Sequence, residues 1–597
     1  MSSLDLGVIG NCSFGALIDA AARVVWCCLP RFDADPVFCS LLNNHDGDSG
    51  VFVVELQGMT RSEQFYKQNT AILVTRMFDD EGNGIEITDF APRFNMRGRR
   101  FRPMTLIRRL RTIVGTPRIV IRVRPRFDYG ATAPSLTHGS NHIRYVGDKL
   151  TLRLTTNAPI TYVLNETPFC LEEPTSFVLG PDETLATGVE ETAREFQERT
   201  TEYWRLWVRG LALPLEWQEA VIRAAITLKL CEFEETGAIV AAMTTSVPEA
   251  PGTERNWDYR YCWLRDAFFV VRALNGLAAV ETMESYLRYL HNIIATSRDN
   301  GSDGHMQPVY GIGLERRLEE RIVPSLTGYR GMGPVRVGNQ AHEHVQHDVY
   351  GNAILAGAQA FFDDRLLRQP DDADFDRFES VGERAFQMHD KPDAGMWELR
   401  SRSRIHTSSS LMCWAACDRL AKIAAHRGLE DRARLWQERS ESVRGAILKN
   451  AWNEDFGAFA ESFGGDALDA GLLLMAEVGF LEPADPRFQS TLERIESNLR
   501  RGNHLFRYTA PDDFGVPRSA FNICTFWYID ALARTGRVDE AREIFESMLA
   551  CRNRLGLLSE DIDPETGEHW GNYPQTYSLV GVINCAIRLS RPWQSKL

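Results

Sequence analysis

Three segments of the sequence combine carboxylates with aromatic side chains. Glu398 follows Met396-Trp397, and Glu560 lies at the apolar start of an acidic stretch over residues 557–574. The segment 256–266, Asn-Trp-Asp-Tyr-Arg-Tyr-Cys-Trp-Leu-Arg-Asp, brings four aromatic residues, two Arg and two Asp together. Two carboxylates on loops at one cavity are the minimal equipment for hydrolysis of a glycosidic bond, one as acid and the other as base or nucleophile.

The segment 256–266 has the composition of a sugar-binding site. Aromatic residues such as Tyr259 and Trp263 can stack on the C–H-rich faces of sugar rings, and charged groups can bond several hydroxyls. The pair Arg265-Asp266 also has a simpler interpretation, since an acid in the first turn of a helix favours the helix dipole. Four aromatic residues within eleven positions favour the binding site.

The two candidate catalytic carboxylates differ in their surroundings. An aromatic and apolar neighbourhood around Glu398 would raise its pKa, as a general acid requires. The stretch around Glu560 carries five acids, which is also typical of calcium loops, but it lacks the D-x-D-x-D-G register. Residues 563–567 are most simply interpreted as a turn, so Glu560 is the acid of this stretch that is the stronger candidate for a functional role.

The first third of the chain has the pattern of many short strands. Runs rich in Val, Ile, Thr and Phe are separated by Gly, Asn, Asp and Pro. This punctuation predicts an antiparallel β-sandwich. The predicted strands include Val51–Leu56, 70–78, 85–90, Arg118–Arg124, 149–155 and Ile160–Leu164.

The remainder of the chain shows repeated helical periodicity. A charged helix over 187–207 is expected to join the two parts. Twelve further helices then follow, with long aromatic-rich loops at alternate junctions, which fits six helical hairpins closed into an (α/α)6 barrel with a site at one end. The helices are predicted at 215–234, 264–277, 280–298, 340–363, 373–388, 407–426, 431–450, 467–476, 485–500, 519–535, 538–551 and 574–590, and the long loops at 236–263, 299–339, 390–406, 501–518 and 552–573.

We therefore expect an α+β multidomain protein: an N-terminal β-sandwich over 1–183, a helical linker over 184–212 and the barrel over 213–597. The chain has 597 residues with 44% hydrophobic and 25% charged content, which excludes disordered and fibrous classes. The sequence has no run of about 18 apolar residues and no secretory leader. Twelve irregularly spaced cysteines read as buried thiols, so the sequence predicts a cytoplasmic protein without a membrane partner.

Nucleic-acid and metal partners are not expected. The net charge of −14 opposes a nucleic-acid binder, although residues 97–126 contain eleven Arg. These Arg are interpreted as an ion-paired strand face or a contact with the acidic barrel. His342, His344 and His347 lack the i, i+4 spacing of a helical zinc site, and the acids at 371–376 are interpreted as a helix cap. We expect no metal and no cofactor.

The ordered motifs resemble glycoside hydrolase family 15, the glucoamylase-like inverting enzymes. The resemblance implies that Arg265 and Asp266 bind the non-reducing glucose and that Tyr259 and Trp263 shape its pocket. Met396-Trp397-Glu398 resembles the motif of the general acid, with Trp397 in the substrate site. The segment Ser559-Glu560-x-x-Asp563-x-x-x-Gly567-Glu568 resembles the one that carries the general base, Glu560 being the matching carboxylate.

The N-terminal third resembles the β-domain that precedes bacterial family 15 enzymes of the trehalase type. Residues 7–12, Trp26, 30–33 and 89–92 carry this resemblance, together with 328–339, where Tyr329 and Arg336 are expected by position to contact the sugar. The chain departs from fungal glucoamylases after the general acid, where Leu399-Arg400 replaces a second Glu. The leaving-group subsite is therefore expected to differ.

The resemblance implies an inverting, exo-acting α-glucoside hydrolase with a small carbohydrate substrate, trehalose being favoured. In that mechanism Glu398 protonates the glycosidic oxygen while Glu560 activates a water on the opposite ring face. Action on maltodextrins or isomaltose is the close alternative. A disaccharide phosphorylase would not need Glu560, and a non-catalytic sugar-binding protein would need neither carboxylate. Homo-oligomerisation stays open.

Overall fold

The short apolar runs of the N-terminal third form antiparallel strands. The computed structural model describes residues 3–43, 49–299 and 304–595. The strands are β1 Gly7–Gly10, β2 Gly15–Ile18, β3 Val24–Cys28, β4 Pro36–Phe38, β5 Val51–Leu56, β6 Met59–Tyr66, β7 Leu73–Asp79, β8 Gly84–Phe90, β9 Phe94–Met96, β10 Arg99–Phe101, β11 Leu106–Val114, β12 Arg118–Arg124, β13 Ser135–His138, β14 His142–Val146, β15 Thr151–Thr156, β16 Phe169–Cys170 and β17 Thr175–Pro181.

All of these strands except β9 and β10, which pair only with each other, build two facing sheets, as the sequence predicts. One has the order β1-β2-β3-β5-β12-β16, with β4 paired to β3, and the other has the order β13-β14-β15-β17-β11-β8-β7-β6. Alternate residues of each strand point between the sheets, because side chains alternate faces along a strand. Phe52 of the first sheet meets Phe177 of the second edge-on at 5.9 Å, and both are fully buried. The β-sandwich is thereby confirmed.

One predicted strand is wrong. Ile160–Leu164 forms a short helix, α1, directly after Pro159. Ile160 and Val163 are buried against the sandwich core, and their i, i+3 spacing places them on one helical face. A five-residue apolar run fits both periods, and Pro at the start of a helix fits the observed one.

The helical part follows the predicted count. Helix α2, Val189–Arg209, lies between the sandwich and twelve further helices. The twelve are α3 Gln218–Leu230, α4 Leu264–Gly276, α5 Val280–Asp299, α6 Asp348–Ala358, α7 Asp372–Met388, α8 Thr407–His426, α9 Glu430–Asn450, α10 Leu474–Glu477, α11 Pro486–Leu499, α12 Asn522–Arg534, α13 Val538–Ala550 and α14 Thr576–Leu589.

Six of these helices form an inner ring. Helix α4 contacts α6, α6 contacts α8, the turn before α10 joins α8 to α12, and α12 contacts α14, which returns to α4. Helices α3, α5, α7, α9, α11 and α13 pack outside them. The inner helices approach closely: a Cβ at Gly351 of α6 would lie 2.2 Å from the carbonyl oxygen of Met412 on α8. This is the predicted (α/α)6 barrel.

The long connections all precede inner helices and therefore lie at one end of the barrel. They span 231–263, 304–347, 389–406, 451–469, 500–521 and 551–575, the fourth of which the sequence did not indicate. Predicted helix 340–363 is shorter, because 340–343 form a separate turn. The connections carry the short strands β18 Glu232–Phe233, β19 Ala238–Ile239, β20 Cys262–Trp263, β21 Val309–Tyr310, β22 Arg321–Ile322, β23 Arg336–Val337, β24 Trp452–Asn453, β25 Ala458–Phe459, β26 Arg500–Arg501, β27 His504–Leu505, β28 Ala520–Phe521, β29 Asp561–Ile562 and β30 His569–Trp570.

The arginine-rich segment 97–126 is ion-paired. Arg108 and Asp89 are both fully buried and joined at 2.7 Å. Arg100 reaches Glu234 of the barrel part at 2.8 Å. Both interpretations of this segment from the sequence, a paired strand face and a contact with the barrel, are therefore present. Of the helices that the structure describes, none combines the length and apolarity needed to cross a bilayer.

Candidate active site

A cavity that is partly open to solvent lies at the end of the barrel where the long connections meet. The chain brings together at this cavity six of the residues predicted from the sequence: Tyr259, Trp263, Arg265, Asp266, Trp397 and Glu398.

Arg265 and Asp266 occupy the first turn of α4, where the extended backbone at Trp263 ends. Arg265 Nη2 lies 3.2 Å from Asp266 Oδ2, and Nη1 donates to the Met396 carbonyl. Among the described residues, the buried Arg265 Nε has no hydrogen-bond partner, and Asp266 Oδ2 has only the ion pair with Arg265. A guanidinium and a carboxylate at a cavity wall suit the hydroxyl groups of a sugar.

Glu398 is held at the cavity by the same segment. Its Oε1 accepts from Trp263 Nε1 at 2.7 Å and lies 3.6 Å from Arg265 Nη2. The backbone at Glu398 has φ +62°, a left-handed conformation that non-glycine residues adopt at a cost and that is frequent at functional sites. Burial raises the pKa of Glu398, while Arg265 and the Trp263 hydrogen bond oppose the rise. A raised pKa suits a proton donor.

Glu560 is fully buried one hydrogen bond away from the cavity wall. Its Oε1 accepts from Tyr259 Oη at 2.7 Å, and its Oε2 accepts from the Asn572 backbone N–H at 3.2 Å. Gly571 leaves the room for this carboxylate, since a Cβ there would lie 2.6 Å from Glu560 Oε2. Gly571 therefore gives the Glu560 carboxylate space, and Asn572 gives it a backbone hydrogen-bond donor.

Some neighbours of Glu560 raise its pKa and others lower it. Burial raises its pKa well above the ordinary glutamate value, and Asp561 and Glu249 add to the rise. The Tyr259 hydrogen bond and Arg507 lower it. Arg507 also pairs with Glu249, so its charge is shared between the two acids.

A continuous set of contacts links the candidate acid to the candidate base. Trp263 binds Glu398, Tyr259 binds Glu560, and the two rings meet edge-on with their centroids 5.2 Å apart. One short segment of chain therefore holds both carboxylates by hydrogen bonds.

Of two other residues predicted to contact the sugar, Trp397 lines the cavity and Arg336 does not. Trp397 lines the cavity, and its Nε1 donates to Asp469 Oδ2 at 2.5 Å. Arg336 lies behind the wall: it pairs with Glu320 at 2.9 Å and its guanidinium is 5.5 Å from the ring of Trp257.

Tyr329, which was expected by position to contact the sugar, is not among the residues that line the cavity. Tyr329 is fully buried and packs edge-on against Trp570 at 6.0 Å, away from the cavity lining. Its segment is a tight turn in which Gly328 has φ +93° and Tyr329 pairs with Met332. The aromatic side chain therefore anchors the turn.

Several cavity residues were missed in the sequence. The Arg400 guanidinium lies near two rings that contact each other, 4.6 Å from Trp257 and 5.6 Å from Phe514, and donates to Glu320 at 3.0 Å. Trp257 belongs to the aromatic segment and was a detectable signal. Phe514 comes from the loop 500–521, which has no motif, so only the tertiary fold brings it to the cavity.

Known proteins resemble the chain over its whole length. The family model described as Glycosyl hydrolases family 15 matches residues 217–587, and the one described as Trehalase-like, N-terminal matches 5–165. Trehalases of Mycolicibacterium smegmatis and Thermoplasma volcanium are each 31% identical over 98% of this chain, and 91% and 93% of those proteins are covered.

A solved structure supports the fold. The crystal structure of a bacterial glucoamylase complexed with acarbose superposes with a TM-score of 0.70 at 12% identity, covering 99% of this chain and 94% of that one. The family match covers the barrel and the cavity residues described above. The chain is a glycoside hydrolase and belongs to glycosyl hydrolases family 15.

Proposed function

We propose that the protein is an α,α-trehalase that hydrolyses trehalose to two glucose molecules by single displacement. The observation that carries this proposal is the pairing of Glu398 and Glu560 with Trp263 and Tyr259, two residues of one segment whose side chains both line the cavity. The similarity to proteins named trehalase, over 98% of the chain, supports the choice of substrate.

In the proposed reaction, Glu398 is the general acid and Glu560 the general base. Glu398 donates its proton to the glycosidic oxygen as the bond to the anomeric carbon breaks. Glu560 removes a proton from the attacking water on the opposite face of the ring. The attacked glucose leaves as the β-anomer and the leaving glucose keeps its α-configuration.

The remaining cavity residues have proposed binding roles. Arg265 and Asp266, which both line the cavity, offer a guanidinium and a carboxylate to the hydroxyls of the attacked glucose. Tyr259, Trp263 and Trp397 supply aromatic surface. Arg400 stands two residues after the acid, where it is proposed to contact the leaving glucose.

A substrate panel tests this proposal. The purified protein is incubated with trehalose, maltose, isomaltose and maltoheptaose, without phosphate, and glucose release is measured. We expect the highest kcat/KM for trehalose, and we expect Glu398→Gln and Glu560→Gln to lose turnover. Preference for maltoheptaose would support the glucoamylase alternative. A requirement for phosphate with release of glucose 1-phosphate would support a phosphorylase.

We also propose the domain limits 1–183, 184–212 and 213–597, which agree with the ranges of the two family matches and with helix α2. A cytoplasmic location is proposed because buried thiols such as Cys12, Cys231 and Cys524 suit a reducing compartment. The carbohydrate substrate is the partner that the site supports.

A further inference from the structure

The N-terminal sandwich makes buried hydrogen bonds to the segment that carries Tyr259. Arg260, the next residue, is fully buried and paired with Asp258 at 2.8 Å. Its remaining donors reach the sandwich: Nη1 donates to the Ala34 carbonyl at 2.8 Å, and Nη2 donates to Tyr129 Oη at 3.2 Å. A loop of the sandwich therefore fixes the backbone on one side of Tyr259.

Tyr129 is itself held in place. Its backbone has φ +53°, and its N–H donates to Asp35 Oδ1 at 2.6 Å. Its carbonyl accepts from Ser325 Oγ at 2.8 Å. A residue kept in a rarely populated conformation by such contacts presents its hydroxyl in one position.

A second contact supports the loop that binds the other oxygen of Glu560. Trp26, in strand β3, donates from Nε1 to the Met243 carbonyl at 2.8 Å. The next residue, Thr244, donates to Asn572 Oδ1 at 2.8 Å and accepts from the Tyr573 N–H at 2.9 Å. Asn572 is the residue whose N–H meets Glu560.

A third contact comes from the segment just before β1. The Leu6 carbonyl accepts from Tyr573 Oη at 2.5 Å and from Asn553 Nδ2 at 3.0 Å. Tyr573 follows Asn572 directly. The loop 551–575 is thus held from the sandwich at two points.

We propose that the N-terminal sandwich positions the general base, with Tyr129 and Trp26 as positioning residues that keep Tyr259 Oη and the Asn572 N–H at the two oxygens of Glu560. The inference rests on the proposed function, because it takes Glu560 to be the base. The sandwich then takes part in the reaction indirectly, because its residues contact the loops of Tyr259 and Asn572 and do not contact the substrate.

The surroundings of Glu560 explain why such support matters. Asp561 and Glu249 raise the pKa of the Glu560 carboxyl, and Arg507 lowers it. The two hydrogen-bond donors of Glu560 lie on different connections, which are joined through Thr244 and Asn572 and through the Asn572 side chain and the Trp257 carbonyl. A hydrogen bond weakens steeply with misalignment, so a small loop displacement would destabilise the ionised base.

The test uses the full-length enzyme with Tyr129→Phe and Trp26→Phe, which remove one donor or acceptor and keep an aromatic ring. Thr112→Val is the matched control, because Thr112 Oγ1 donates to the Leu171 carbonyl within the sandwich at 2.6 Å, away from both loops. For the two Phe variants we expect kcat to fall about three- to tenfold, the equivalent of one hydrogen bond. KM should be unchanged, and the acidic limb of the kcat/KM profile should move to higher pH.

A double-mutant cycle separates positioning from general destabilisation. If Tyr129 acts through Tyr259, Tyr129→Phe combined with Tyr259→Phe should lower kcat by less than the product of the single effects. Thr112→Val combined with Tyr259→Phe should be multiplicative. Thermal unfolding of each variant shows whether the protein is folded at the assay temperature.

The outcomes are distinct. Wild-type kcat and pH profile in both Phe variants, with Glu560→Gln inactive, would overturn the inference and leave the proposed function standing. Activity losses in Tyr129→Phe and Trp26→Phe that match Thr112→Val, or that multiply with Tyr259→Phe, would also overturn it. Wild-type activity in Glu560→Gln would instead overturn the proposed function.

Discussion

Tyr259 Oη donates a hydrogen bond to Glu560 Oε1 at 2.7 Å, although 301 positions separate the two residues in the chain. The same ring meets Trp263, which holds Glu398. The site is therefore organised around one segment that precedes the first inner helix. Each of its two aromatic donors, Tyr259 and Trp263, forms a hydrogen bond with one of the two carboxylates.

Removal of the Tyr259 hydroxyl should impair the base. The hydrogen bond stabilises the ionised form of Glu560 and lowers its pKa, so Tyr259→Phe raises that pKa. A base must be deprotonated to act, and the acidic limb of kcat/KM should therefore move to higher pH. We expect kcat at neutral pH to fall about 10- to 100-fold, in line with a hydrogen bond to a charged group. An unchanged pH profile would show that this bond does not tune the base.

The role of Glu398 can be isolated with a substrate whose leaving group needs no proton. Glu398→Gln should lower kcat for trehalose about 100- to 10,000-fold, the usual contribution of a general acid. Hydrolysis of α-glucosyl fluoride should be affected far less, because fluoride leaves without protonation. Equal losses on both substrates would contradict the assignment. The raised pKa of Glu398 also places the basic limb of the wild-type profile above the ordinary glutamate range.

Substitution of Glu249 should shift the pKa of Glu560 in the opposite direction, to a lower value. Its negative charge raises the pKa of Glu560, and Glu249→Gln removes that charge while Arg507 keeps its own. The pKa of Glu560 should fall, so the acidic limb of kcat/KM should move to lower pH. Glu565→Gln, on an exposed turn of the same connection as Glu560, is the control and should leave the limb in place. A shift to higher pH in Glu249→Gln would refute the electrostatic account.

Arg400 should matter only when the leaving group is a sugar. Arg400→Ala removes the guanidinium beside Trp257 and Phe514, and KM for trehalose should rise about 10-fold, as for a lost charge-assisted hydrogen bond. KM for α-glucosyl fluoride should not change. Arg402→Ala, whose side chain is exposed and binds the Pro511 carbonyl, serves as the control. A parallel rise in KM for both substrates would place Arg400 outside the leaving-group subsite.

Gly571 is expected to resist substitution. In Gly571→Ala the new Cβ would lie 2.5 Å from Glu560 Cβ at a backbone φ of +74°, which should lower the free energy of unfolding by about 1–3 kcal/mol and displace the base. Gly567→Ala has a similar φ of +72° with open space around the Cβ. Thermal unfolding and kcat of the pair separate the clash from the backbone strain. Equal effects in the two variants would exclude the clash.

The sequence allowed the architecture and six of the cavity-lining residues to be predicted. Long periodic stretches such as 407–426 define helices by themselves, and the motif 256–266 brings its own aromatic and charged residues to the cavity. The strand prediction for Ile160–Leu164 was wrong because a run of five apolar residues fits both the strand period and the helix period. Tyr329 was placed by position in a motif, and the turn that buries it depends on contacts from distant residues.

The support from the sandwich could not be predicted. Arg260, Tyr129 and Trp26 lie far apart in the chain, and each alone is typical of a buried pair or a core aromatic. Only the fold brings the Arg260 guanidinium to Tyr129. The same limit applies to Phe514, which reaches the cavity from a loop without a motif.

Hydrolysis of trehalose with inversion at one anomeric carbon is tested most directly by proton NMR of the first turnovers, recorded before mutarotation. We expect α- and β-glucose in equal amounts, the β-anomer from the attacked ring and the α-anomer from the leaving group. Release of α-glucose alone would indicate retention and would contradict the assignment of Glu560 as a general base.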